Sequence, residues 1–464
     1  MTADTARRPS LTVASGLLGL SSIASRLTTL VVMALLARGA GAEAVGYYGL
    51  ATLSASFTAA ALSFGLVTHL TREAAAGQIA PDEVARLHAG RLALLGLAVL
   101  AAWPITSVAV SPALRGAFLL FFAASLLEQW NETGWVLVRG TRRAWREAAV
   151  NGGTGALLVA ACAVAATRGG LTLDRAAVLV LAAAGLRSVV ALLATGAWRV
   201  RPARVDVRTR LRASLPYFAA DLLGLIYFRG DVFVLALFVT AAEVGSYVSA
   251  ASIVGPAVQV AASMGVGALA YAARRGLAGD AAEPLTIYRF FRLAGNLAAG
   301  ALFIALPLGV TILFGSAPDV VALSAVLGLF LALRFANYGL SAILLAEGRA
   351  GGRLLVLVYS IGGNLLLNLL LDGRYGSAGA AWSTVLTELI VATSMLWFIR
   401  DRGLVRPVLA GVGMVAAAAA VLVGVGRFGQ TPAVLATGAL LLVLAAGQAL
   451  RGRGARILTP AEVR

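Results

Sequence analysis

Long apolar stretches recur from one end of the chain to the other, and few charges interrupt them. A bilayer core of about 30 Å takes about 20 residues of helix, because an α-helix rises about 1.5 Å per residue and satisfies its own backbone hydrogen bonds. Stretches of that kind fall at 11–37, 45–70, 92–110, 113–138, 148–167 and 176–198. A second series falls at 215–239, 244–273, 291–314, 320–346, 354–371 and 377–399, and two more at 408–426 and 433–450. Composition agrees. Of 464 residues, 60% are hydrophobic and 13% charged, too little polar material to coat several soluble domains. A soluble enzyme is excluded, and the expected fold is an all-α polytopic membrane protein of about 14 transmembrane helices. The first stretch is too long for the core of a signal peptide and carries Arg26, so it is expected to remain in the mature protein.

The formal charge of +17 rests on arginine alone: all 38 basic residues are arginine, and no lysine occurs. In a soluble chain such a balance would suggest nucleic acid. In a membrane chain the positive-inside rule accounts for it, and no nucleic-acid partner is expected. With the amino terminus inside, the outer connections hold only Arg38, Arg115, Arg168, Arg175, Arg374 and Arg427. The dense runs at Arg139, Arg142, Arg143 and Arg146, and at Arg199, Arg201, Arg204, Arg208, Arg210 and Arg212, then fall inside. An even number of spans puts both termini in the cytoplasm. The one cysteine, Cys162, lies in an apolar run and reads as packing. His69 and His88 have no Cys or His companion, so no metal site is expected.

The basic stretch 199–212 divides two sets of six spans whose starts resemble each other. Glu43, Val45, Gly46 and Tyr48 recur as Glu243, Val244, Gly245 and Tyr247, each group preceded by a span with an arginine, Arg26 or Arg229. Both halves start inside and run the same way, which is a parallel repeat. The expected organisation is a six-helix bundle over 1–198, a basic cytoplasmic linker over 199–214, a second six-helix bundle over 215–403, and two further helices with a cytoplasmic tail over 404–464. The short connections leave no room for an extracytoplasmic catalytic domain. Residues 81–91 read either as a short amphipathic helix on the inner surface, with Asp82 and Arg86 one turn apart, or as a solvated loop.

Polar residues inside the spans form stripes at helical spacing. Ser22, Ser25, Arg26 and Thr29 share a face of the first span, and Arg334, Asn337, Tyr338 and Ser341 a face of the tenth. Glu128, Asn131, Glu132 and Trp135 do so on the fourth, Ser249, Ser252, Gln259 and Ser263 on the eighth, and Ser360, Asn364 and Asn368 on the eleventh. The seventh carries Asp221, Arg229 and Asp231. Arginine at mid-membrane costs at least about 2.5–3.5 kcal/mol, so these faces should meet a wet cavity or a partner. Two readings stand for each group. Ser and Asn can bond helix to helix, whereas Arg26, Arg229 and Arg334 suit the bidentate capture of phosphate oxygens. Arg187 can snorkel or form a salt bridge. Glu128 and Glu132, one turn apart, either pair with arginine or repel, which would make one a proton carrier. No phosphate-gripping glycine loop, Ser/His/Asp set or zinc spacing occurs.

Three segments then carry a family resemblance. AEAVGYYGLA, from Ala42, follows an arginine-bearing first span, and FRGDVFVLALFVTAAEVGSYVSAA runs from Phe228 to Ala251. AEGR from Ala346, Asn364, Asn368 and RYGSAGAAWSTVLTE up to Glu388 follow. Over most of 11–400 the chain resembles the polysaccharide and lipid-linked oligosaccharide flippases of the multidrug/oligosaccharidyl-lipid/polysaccharide (MOP) superfamily. The resemblance implies a MATE/MOP-like fold, two six-helix bundles around a V-shaped central cavity, in a bacterial cytoplasmic membrane. It implies alternating access rather than enzymatic catalysis, with a polyprenyl-pyrophosphate-linked glycan carried from the inner to the outer leaflet. Arg26, Arg229, Arg334, Asn337, Gln259, Asn364 and Asn368 would line the pyrophosphate and sugar cavity. Glu128, Glu132, Asp221, Asp231 and Glu388 are candidates for H+ or Na+ coupling or for plain pairing. No cofactor is expected, and the partners would be the lipid-linked glycan, membrane lipid, and the glycosyltransferases and polymerase of the same pathway. The rivals are a lipid II flippase, a cation-coupled drug exporter and, more remotely, a polytopic glycosyltransferase or polymerase.

Overall fold

The computed structural model describes residues 11–75, 78–139, 145–199, 206–275, 282–399 and 402–451. Both chain ends, with Arg142, Arg143, Arg201 and Arg204 of the basic runs, lie outside the described residues. Over those residues the chain forms α1 (Leu11–Ser63), α2 (Leu66–Ala75), α3 (Pro81–Ala109), α4 (Pro112–Trp135), α5 (Trp145–Thr167), α6 (Leu173–Thr195) and α7 (Val207–Leu235). Then come α8 (Ala241–Arg275), α9 (Ala282–Phe314), α10 (Pro318–Ala346), α11 (Ala350–Phe398), α12 (Val405–Gly426) and α13 (Gln430–Arg451). Ten of these helices are long and apolar enough to cross a membrane. Two of the ten hold a pair of expected spans each, because Gly41 (φ 87°, ψ 174°) breaks α1 and Gly376 (φ 57°, ψ −137°) breaks α11. α4 and α7, which the sequence pattern reads as spans and which carry several charges, are not among these ten. The chain is a multi-pass, all-helical membrane protein.

By internal contacts the chain forms two compact units, Met1–Arg229 and Gly230–Arg464. In the first, α4 packs on α6, α3 and α1, and α5 lies against α1 and α6. The second expected span stops early: Ser63 ends α1, and the chain turns through Phe64 (φ 46°) and Gly65 (φ 71°) into the short α2. Gly65 meets two demands together. Its backbone is left-handed, and a Cβ there would lie 2.2 Å from the Phe218 backbone nitrogen of α7. Gly65→Ala is therefore expected to cost about 2–5 kcal/mol, from left-handed strain plus overpacking, and thermal unfolding in detergent would read it as a large drop in Tm.

α7 starts earlier than the apolar pattern indicates. Thr209 donates to Asp206 from its backbone (3.2 Å) and its hydroxyl (2.6 Å), capping the helix start and holding the Asp206 carboxyl below the usual carboxylate range. From there α7 is tied to α2 and α3. Arg210 bridges Glu73 (2.5 Å) and Glu83 (2.6 Å), Arg72 donates to the Tyr217 hydroxyl (2.5 Å), and Thr68 donates to Asp221 (3.0 Å). Residues 81–91 are neither a separate surface helix nor a loop but the first turns of α3. They stay in the helix because His88 stacks on Trp130 (4.1 Å between centroids) and Arg91 donates to Thr133 (2.5 Å), both of α4.

One face of α3 turns away from the protein, with Leu97, Leu100, Trp103, Ile105 and Val108 exposed. Lipid rather than water is the natural solvent for such a face, and between helices packing and hydrogen bonds take the place of hydrophobic driving force. In the second unit α10 is the enclosed helix, packed on α8, α9 and α11, with most of its residues buried. α13 packs on α9, and α12 lies on α13. The glycines of the RYGSAG motif make the return between the halves of α11 tight: a Cβ on Gly379 would lie 2.4 Å from the Leu371 carbonyl oxygen.

Candidate functional site

The arginines inside the spans divide into two kinds. Arg187 of α6 is buried, pairs with Glu128 of α4 (2.7 Å) and donates to Thr154 of α5 (2.8 Å). Arg334 of α10 is buried, pairs with Glu388 of α11 (3.1 Å) and lies over the Phe330 ring (5.0 Å). Arg334 and Glu388 are both buried, so breaking that pair would cost about 3–5 kcal/mol, whereas Glu128 is 46% exposed and its bond to Arg187 is worth less. Arg26 on α1 and Arg229 on α7 differ, for their side chains are exposed. Arg229 is the last residue of the first compact unit, which also holds Arg26.

Most carboxylates of the spans are taken up in bonds. Glu132 pairs with Arg139 (2.6 Å), which also grips the buried Glu147 (2.6 Å), and Asp221 accepts from Thr68. Asn337 donates to both the backbone oxygen (2.9 Å) and the carboxylate (2.8 Å) of Glu388. Asn364 donates to Thr387 (3.0 Å), and Asn368 accepts from Ser383 (2.6 Å), joining the two halves of α11. Gln259 is half-buried on α8, where its carbonyl oxygen accepts from Ser263 (3.0 Å).

A second group of acids gathers in the Gly230–Arg464 unit. Tyr247 of α8 donates its hydroxyl to Asp231 and lies 3.2 Å from the Thr384 hydroxyl of α11, while the Val232 backbone donates to Asp231 (2.9 Å). Asp372, 1% exposed, lies within electrostatic reach of Asp231. Neither of its carboxylate oxygens has a hydrogen-bond partner among the described residues. Two carboxylates, a tyrosine and a threonine thus meet in a buried place where full ionisation of both acids would be costly. A proton or a small monovalent cation would relieve it.

Asp231 is one of the sequence-derived candidates, but Asp372 reads from the sequence as an outer-loop acid. Spacing could have found it. Ser360, Asn364, Asn368 and Asp372 step by four, so the polar stripe of the eleventh span runs one turn further than its apolar run. Tyr247 entered only as part of the Val-Gly-x-Tyr repeat. The bonds of Arg210 and Arg91 join distant segments and leave no local signal.

No protein-family model matches the chain, and no curated protein matches it in sequence. Solved structures do. A lipid II flippase, MurJ, in an inward closed conformation aligns with a TM-score of 0.67 at 12% identity, over 96% of this chain and 99% of its own. An inward-facing multidrug resistance MATE family transporter of the MOP superfamily aligns with a TM-score of 0.62 at 18% identity, over 86% and 98%. A MOP superfamily transporter from Pyrococcus furiosus, described as having a binding pocket of reverse polarity, gives 0.57 at 16% identity, over 87% and 96%. In fold, then, this chain is a polytopic helical protein built like the lipid II flippase and the MATE transporters.

Proposed function

We propose that the chain is a flippase of the MOP superfamily, carrying a polyprenyl-pyrophosphate-linked oligosaccharide from the cytoplasmic to the outer leaflet for cell-surface polysaccharide. The observation that carries this reading is the division among the intramembrane arginines. Arg187 and Arg334 are buried, whereas Arg26 and Arg229 present exposed side chains on spans. An exposed arginine at membrane depth is suited to an anion, and a diphosphate matches the planar donor fork. Asn364 and Gln259 would serve the sugars. Asp231, Asp372, Tyr247 and Thr384 would take the coupling cation, H+ or Na+. Outward movement of an anionic lipid is further favoured by an inside-negative potential, by about 2.3 kcal/mol per charge per 100 mV.

Lipid II, itself a pyrophosphate-linked saccharide, is the second reading. The likeness to the lipid II flippase spans 96% of this chain and leaves too little over to omit both α12 and α13. Drug export fits less well, because exposed arginines repel the cations such exporters carry. The separating experiment is mass analysis of lipid-linked sugars in a deletion strain, with sidedness probed by an impermeant oxidant. Complete oligosaccharide units facing the cytoplasm are expected. Accumulated lipid II would favour the second reading, truncated glycans would point to an enzyme, and an unchanged pool would overturn both flippase readings.

A further inference from the structure

Each unit contains an Arg–Glu bridge between spans, and the two bridges can be compared position by position. In the first unit Glu128 of α4 meets Arg187 of α6 at 2.7 Å. Three residues beyond Glu128, Asn131 donates to Ser188 (3.2 Å), the neighbour of Arg187. In the second unit Arg334 of α10 meets Glu388 of α11 at 3.1 Å. Three residues beyond Arg334, Asn337 donates to Glu388 itself, 2.9 Å to the backbone oxygen and 2.8 Å to the carboxylate.

In the parallel repeat, α4 holds the fourth span and α10 the tenth, while α6 holds the sixth and the second half of α11 the twelfth. Glu128 and Asn131 thus map onto Arg334 and Asn337 with one shared offset of 206 positions. The third contact is also paralleled. Thr154 on the fifth span accepts from Arg187 (2.8 Å), and Asn364 on the eleventh donates to Thr387 (3.0 Å), the neighbour of Glu388. The partners of the flanking contacts shift by one residue, Glu128 is more exposed than Glu388, and the sign of the charge is reversed. The acid is on the fourth helix of one repeat and the base on the fourth helix of the other.

We infer that Glu128–Arg187 and Arg334–Glu388 are repeat-related braces of opposite polarity, each fixing the fourth helix of its unit to the sixth, and that their four charges position helices rather than carry ion or substrate. A charge that gripped a phosphate or shuttled a coupling cation could not exchange sign between equivalent places. A brace can, because attraction between the two side chains is unchanged when both are reversed. In the membrane each partner also shields the other from lipid, so the pair is retained as a pair.

Charge exchange tests this. Glu128→Arg and Arg187→Glu alone should each lower the melting temperature of the purified full-length protein by about 10 °C or prevent recovery of folded protein. The double exchange, Glu128→Arg with Arg187→Glu, should recover most of that loss and restore transport to within a few-fold of the parent. The neutral pair Glu128→Gln with Arg187→Gln provides a reference that avoids like-charge contact. Arg334→Glu with Glu388→Arg should behave likewise in the melting assay. If the double exchange melts no higher than the worse single variant, the brace is refuted. If it recovers folding but leaves transport dead, these charges act on the ion or substrate and the inference fails. The melting readout needs no substrate, so an error about the transported lipid would leave it intact.

Discussion

Arg26→Ala and Arg229→Ala should each reduce export by about 100-fold while leaving folded, membrane-inserted protein at parental levels. The size follows from removing one or two charge-assisted hydrogen bonds to phosphate, about 1.5–3 kcal/mol each, at about 1.4 kcal/mol per factor of ten. The preserved folding follows from exposure: neither side chain fills a packed site, so truncation leaves no cavity. Lysine at either position should recover only part of the activity, because an ammonium keeps the charge and loses the planar fork. Arg187→Ala provides the contrast, since it abandons Glu128 and Thr154 together and should fail in folding before it fails in transport. Flux of a short-chain pyrophosphate-linked glycan into proteoliposomes, normalised to folded protein by size exclusion, gives the comparison. Normal flux in both alanine variants would remove the phosphate role.

Asp372→Asn and Asp231→Asn should uncouple the protein from its cation. Asp372 is almost wholly enclosed and neither of its oxygens is hydrogen-bonded within the described chain, so its charge needs a guest rather than a neighbour. An amide keeps the shape and removes the charge. In proteoliposomes, transport by the parent should rise about tenfold or more when an inward Na+ or H+ gradient is imposed, on the scale of a single site of differential affinity. The Asn variants should lose that response while still answering to membrane potential. Separate Na+ and pH jumps identify the ion. Tyr247→Phe removes one bond from Asp231 and should shift the cation concentration at half-response rather than abolish it. A full gradient response in Asp372→Asn would exclude this group of residues from coupling.

The membrane class and the places of the spans were legible because hydropathy acts locally and at a fixed length. Breaks within the helices were less so. Gly41 and Gly376 stand where apolar runs already separate, but the turn at Phe64 and Gly65 falls inside a run that reads as one span, and its cause is the backbone of α7 at Phe218. Residues 81–91 look like a surface helix in isolation because their charges suit water, while the contacts that draw them into α3 come from Trp130 and Thr133. The stripes and lone charges inside the spans picked out Arg187, Arg334, Glu128 and Asp231 among others. They could not tell buried from exposed arginines, because Arg187 and its acid lie 59 residues apart and nothing local marks the match. Asp372 shows the opposite limit: its four-residue spacing is plain in the chain, but the apolar run had been ended one residue too soon.

The attachment of the first part of α7 bears on how this protein could be taken apart. The basic stretch between the two sets of spans invites a cut for expressing two halves as separate chains. The bridge from Arg210 to Glu73 and Glu83, with the Tyr217 and Asp221 contacts to Arg72 and Thr68, lies downstream of that cut but belongs to the upstream unit. An upstream half that ended at residue 205 would leave Glu73 and Glu83 without their shared cation and Gly65 without the α7 backbone it packs against. A downstream half would begin with a helix whose partners were made on another ribosome. Reassembly of such halves would have to start from that helix, which makes the α7 segment a natural handle for controlling when the two parts of the protein come together.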